Sequence, residues 1–152
     1  MAICELLDLP SKGILIGIDP GTKTIGVAAS DNLQLTAHPV ETIRRGKKLG
    51  PSLERLFELY DDRAAIGLVI GLPLNMDGTA GPRAQSARAM ARHILQVRDI
   101  AIAFQDERMS SASAERAMIE ADMSRAKRAE HIDKSAAAII LQTAIDTIAN
   151  AS

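Results

Sequence analysis

Residues 13–31 read GILIGIDPGTKTIGVAASD, and the order of elements in this stretch decides the fold. Ile14, Ile16 and Ile18 alternate with Leu15, Gly17 and Asp19, the period of two that belongs to a strand. Pro20-Gly21 breaks the run, and residues 24–30 read as a second strand. A doubly wound nucleotide fold sends its first glycine-rich turn straight into a helix, whereas this turn leads into another strand. The stretch also ends an apolar run on a carboxylate, Asp19, with the side-chain-free Gly17 on the same strand face.

Outward from this hairpin the elements follow in a clear order. Asp31-Asn32 is a turn signal, and residues 34–43 are expected to form the third strand of a meander. Leu53, Leu56, Phe57 and Tyr60 recur at helical spacing within 51–63, and 65–72 is apolar enough for a strand buried on both faces. A helix is expected over 82–97, a strand over 100–104, a short helix near 112–121 and a last helix near 133–149. The chain is therefore expected to be α/β, a mixed sheet of about five strands. A three-strand antiparallel meander is extended by parallel strands, with helices on both faces. Residues 13–149 form one domain in this reading, and residues 1–12 form an N-terminal extension without an assigned role.

Composition narrows the function. The 152 residues are 47% apolar and 24% charged, as in ordinary globular domains. Phe57, Phe104 and Tyr60 are the only aromatics, which argues against bases stacked on aromatic platforms. A net charge of −1 gives no global attraction to nucleic acid, so such binding needs local patches. Arg44, Arg45, Lys47 and Lys48 bunch in this way, as do Arg125, Lys127, Arg128 and His131; a solvated loop is an equal explanation of each. The lone Cys4 excludes a disulfide framework and a thiolate metal site. The start lacks a basic n-region, and no apolar run has the length of a membrane span, so a cytoplasmic location is expected.

Three acids stand at the ends of different elements. Asp19 closes the first strand, and by itself it is equally a turn-forming Asp before Pro-Gly. In FQDERMSS (residues 104–111), Glu107 continues the small or polar side of the preceding strand (Ala101, Ala103, Gln105), while Asp106 points the other way. Asp133 begins the stripe Ala137, Ile140, Ala144 and Ile148 of the last helix, where it is also a good N-cap. Carboxylates within about 4 Å repel by roughly 1–4 kcal/mol per pair, so a cluster of three persists by sharing protons or binding a cation. Oxygen-only donors suit Mg²⁺ or Mn²⁺ rather than zinc, and a pair of such ions hydrolyses phosphodiesters.

Four blocks now carry a resemblance: GIDPGTKTIGVAASD, VIGLPLNMDGT, FQDERMSS and HIDKSAAAIILQTAID. In this order they resemble the YqgF/RuvX family of pre-16S rRNA nucleases, related to RuvC-type Holliday-junction resolvases, and the match spans residues 13–148. GLPLNMDG is its most specific element. The resemblance implies a ribonuclease H-like fold and a metal-dependent endonuclease, cytoplasmic, that processes the 5′ end of pre-16S rRNA. It places the catalytic and metal-binding acids at Asp19, Glu107 and Asp133, with Asp106 in reserve and two Mg²⁺ or Mn²⁺ ions expected. Met109-Ser110-Ser111 departs mildly from the family's usual Leu-Ser/Thr-Thr.

Around these acids, Lys23 is a candidate phosphate contact as a point charge in the turn after Asp19. Asn75 and Arg83 are candidates from the glycine-containing loop and the helix start that follows it, where backbone N–H groups attract phosphate. Arg108 is equally a phosphate ligand or the partner of a neighbouring acid. The expected partner is nucleic acid, precursor rRNA before structured DNA, with ribosomal particles as a further partner, no membrane and the oligomeric state open. The alternatives are a Holliday-junction resolvase-like DNA nuclease and a non-catalytic rRNA-binding or transcription-associated module. DPGTK (residues 19–23) also resembles the phosphate loop of sugar kinases and actin-like ATPases, which bind nucleotide between two such domains.

Overall fold

A computed structural model describes residues 3–108 and 135–151. Its elements are β1 (Ile3–Cys4), a 3₁₀ turn (Leu6–Asp8), β2 (Leu15–Pro20), β3 (Thr24–Ser30), β4 (Ala37–Arg44), α1 (Gly50–Asp62), β5 (Gly67–Leu72), α2 (Pro82–Val97), β6 (Ile102–Asp106) and α3 (Ala136–Asn150). The six strands form one mixed sheet in the order β1-β6-β5-β2-β3-β4. β2, β3 and β4 are the antiparallel meander, and β5 and β6 add to β2 in parallel, so the fold is the ribonuclease H-like α/β arrangement. The short helix expected near 112–121 lies outside the described residues, as does Asp133.

The alternation read in β2 sorts the core into two layers. Ile16, Ile18, Ile25, Val27, Leu68, Ile70 and Ile102 face α1 and α2. Leu15, Ala28, Val69 and Ala103 face α3, which presents Ala137, Ile140, Leu141, Ala144 and Ile148. Each fully buried Leu or Ile contributes roughly 1.5–3 kcal/mol, so both layers hold the sheet between its helices. Small residues on the α3 side let that helix come close. A Cβ on Gly17 would stand 2.7 Å from Leu141 Cβ.

Where boundaries moved, a local cause is visible. β4 starts at Ala37 rather than 34, because Asp31 gathers the backbone N–H groups of Leu33, Leu35 and Thr36 into a turn that holds Gln34 at φ +55°. β6 runs over Ile102–Asp106 rather than 100–104, following its pairing with β5 to Leu72↔Asp106. The helix expected from 133 begins at Ala136, capped by Ser135, whose hydroxyl accepts from Ala138 N at 3.1 Å. The sixth strand comes from residues 1–12: Ile3 and Cys4 pair with Ile102 and Ala103, and Leu9 is buried in the α3-side layer.

Candidate active site

β2 carries Asp19 to the rim of the sheet on the face that α3 covers. Its cross-strand neighbour is Gly26, and a Cβ added there would lie 3.7 Å from Asp19 Cβ and 3.5 Å from Ala137 Cβ. Asp19 is thus half-buried beside the first turn of α3. On its other side, β5 runs parallel in the register Ile18↔Ile70, which sets Gly71 alongside Asp19.

Glu107 reaches the same place from β6. After Asp106 the chain stays against β5 for one more residue, because Glu107 N donates to Leu72 O at 3.2 Å. That bond preserves the alternation, so Glu107 shares the face of Ala103 and Gln105. Its Oε2 lies 2.8 Å from where a Gly71 Cβ would stand, and the residue is 1% exposed. Asp19 and Glu107 therefore flank the missing side chain of Gly71, under the N-terminal end of α3. Among the described residues no group of three His, Cys, Asp or Glu is arranged to hold a metal.

Asp106 does something else. Arg108 binds it through Nε and Nη2, at 2.9 and 2.7 Å, and through its backbone N–H at 2.9 Å. The guanidinium holds the Asp106 carboxyl below its usual range, and Asp106 raises Arg108 in turn. Of the two roles open to Arg108, pairing with an acid is the one observed, and it occupies the reserve carboxylate. Arg108 Nη1 also lies 3.2 Å from the Cβ position of Gly78, whose φ of +88° suits glycine, so the exit of β6 packs on the 73–81 loop.

That loop is closed from within. Asn75 N donates to Thr79 O, Gly78 N to Asn75 O, and Asn75 Nδ2 to Thr79 Oγ1. Asp77 accepts from both the N–H and the hydroxyl of Thr79, which lowers its pKa. Asn75 here shapes the loop. Arg83 lies in the first turn of α2, half-buried, and Lys23 is exposed in the β2–β3 turn.

Two features were passed over in the sequence. Gly67, Val69 and Gly71 alternate along one face of β5, and this period of two in GLVIGL was the available signal for a cleared floor. Arg45 belongs to a basic group that reads equally as a patch or a solvated loop, and its N–H donates to Lys23 O at 2.9 Å and its Nη1 to Gly21 O at 2.6 Å, tying β4 to the turn after Asp19.

Asp19 on β2 and Glu107 at the exit of β6 stand on either side of β5 in a ribonuclease H-like sheet, and comparison with known proteins gives the class, a phosphodiester-hydrolysing nuclease. The RuvX family model, described as Holliday junction resolvase, matches residues 13–147, and the chain belongs to that family. Curated relatives named "Putative pre-16S rRNA nuclease" agree with it. The protein of Paracoccus denitrificans (strain Pd 1222) is 50% identical over 151 residues, 96% of this chain and 95% of its own. That of Rhodobacter capsulatus is 52% identical over 153 residues, 97% of this chain and 96% of its own. Among solved structures, Thermus thermophilus RuvC in complex with Holliday junction substrate covers 90% of this chain and 96% of its own at 13% identity, with a TM-score of 0.49.

Proposed function

We propose that this nuclease trims the 5′ region of precursor 16S rRNA in the cytoplasm, with Asp19, Glu107 and Asp133 as the residues that hold a divalent cation. The observation that supports the reading is the placement of Asp19 and Glu107 on the α3 face, on either side of Gly71. A buried carboxylate beside a second one is costly unless the charge is balanced. An oxygen-only donor set of this kind fits Mg²⁺ or Mn²⁺. Such an ion supplies an activated water and charge for the leaving oxygen.

The chain's own residues do the rest. Asp19 and Glu107 fix the place of cleavage by rising from strands that cannot shift in register without breaking the core. Asp133, two residues before the Ser135 cap, is the third acid by sequence. Lys23 beside Asp19 offers a charge to a neighbouring phosphate, and Asn75 and Arg83 are the candidate contacts from the loop and helix start after β5. Paired with Asp106, Arg108 braces the 73–81 loop against the exit of β6. The relatives' names point to precursor rRNA as substrate.

The experiment is cleavage of a precursor 16S 5′-region RNA with Mg²⁺ or Mn²⁺, beside a four-way DNA junction. Cutting of the RNA at a defined position supports the assignment. Cutting of the junction alone would transfer the substrate to DNA, in line with the family description.

A further inference from the structure

The link between β4 and α1 walls a cleft of about 730 Å³ lined by Arg44, Arg45, Lys47, Lys48 and Arg55, with Pro51 and Ser52 at the start of the helix. Its charge is concentrated in one short stretch, residues 44–48. Arg55 is committed to Glu41 and Glu58, Arg98 to Asp61 and Arg108 to Asp106. Arg44, Arg45, Lys47 and Lys48 are in no ion pair among the described residues. The first turn of α1 also carries no acid. Four cations within five residues repel one another, so the arrangement favours an anion between them.

Position gives the anion its identity. Arg45 is bonded to Gly21 O and Lys23 O, so the cleft and Asp19 lie on either side of one turn. Asp19 faces α3, whereas Ile43 of the cleft belongs to the α1 layer. From β2 across β3 to β4 is two strand spacings, roughly 10 Å.

We propose that this cleft binds the phosphate backbone of the RNA to one side of the bond cut at the acids, with Lys23 at the turn between the two. The inference rests on the nuclease reading for the place of cleavage, but binding alone tests it. The cleft contacts phosphates rather than base edges, so it adds affinity and register without sequence preference. Each neutralised phosphate steepens the salt dependence of binding by about 0.7 in log–log slope for a single strand.

The test uses the full chain in EDTA, with a labelled precursor 16S 5′-region RNA as probe and salt varied. The triple variant Arg44→Gln/Lys47→Gln/Lys48→Gln spares Arg45, which holds the turn. It should bind roughly 30-fold more weakly at 0.1 M salt, with a slope shallower by about 2. A control with the same charge change on other exposed residues, Lys12→Gln/Arg88→Gln/Arg92→Gln, should lose less than about threefold. An unchanged slope, an equal loss in the control, or a loss on a four-way DNA junction with none on the RNA would each overturn the proposal. If the triple variant behaves as expected but the native chain cuts nothing with metal, the nuclease reading fails and the cleft stands.

Discussion

Glu107 Oε2 stands 2.8 Å from the point a Gly71 Cβ would occupy, so the acid of β6 rests over an absent side chain of β5. Ile140 of α3 closes the same point from above, and Asp19 lies alongside on β2. One methyl group at residue 71 therefore meets both the acid and the helix that covers it. Gly71→Ala should destabilise by about 1–3 kcal/mol and lower cleavage by more than the stability loss explains. Gly26→Ala places its methyl 3.5 Å from Ala137 Cβ and 3.7 Å from Asp19 Cβ, ordinary contacts, and should stay within about 1 kcal/mol of native. Urea unfolding of both variants, read beside their cleavage rates, checks the contrast; equal tolerance at the two positions would contradict the packing described.

Ala64 holds φ at +50° just past the end of α1, where Ala64 N and Ala65 N donate to Asp61 O and Tyr60 O. A left-handed residue at a helix end favours glycine. Ala64→Gly should raise stability by about 0.5–1 kcal/mol, because relief of the strain exceeds the extra freedom of the unfolded chain. Thermal unfolding reads it directly, and a fall in Tm would mean that the turn is not under strain.

Asp31 organises the β3–β4 hairpin, and the N–H of Thr36, followed by those of Leu35 and Leu33, lowers its carboxyl below the ordinary value of 3.8. A carboxyl depressed in the folded state contributes stability that is present above 3.8 and is lost as pH falls through the lower folded value. Asp31→Asn should be less stable than native at pH 7. The two should converge as the pH drops below that point. Parallel unfolding curves from pH 7 to pH 2 would show that the hairpin bonds do not depend on the charge.

The hairpin of residues 13–31 was readable because one alternation serves both pairing and burial, and the same parity put Glu107 on the α3 face. β1 was not readable. Two residues followed directly by Glu5 have no period, and they form a strand because β6 offers an edge to pair with. The start of α3 was misplaced by three residues since Asp133 and Ser135 are both good caps, and spacing alone does not choose between them. Arg108 had two equal roles in sequence, and its choice of Asp106 follows from the turn at the exit of β6. The basic link likewise becomes a cleft only once Arg45 is fastened to a turn more than twenty residues earlier.

Asp19 and Glu107, the two acids that flank Gly71, carry the proposed chemistry. Asp19→Asn and Glu107→Gln keep their shapes and remove one charge each, and circular dichroism should find both variants folded. Cleavage of the precursor 16S 5′-region RNA in Mn²⁺ or Mg²⁺ should fall by at least about 100-fold in each, while binding of the RNA in EDTA stays within about threefold of native. Metal-dependent cutting at the native rate by either folded variant would contradict the assignment of that carboxylate and the site built on it.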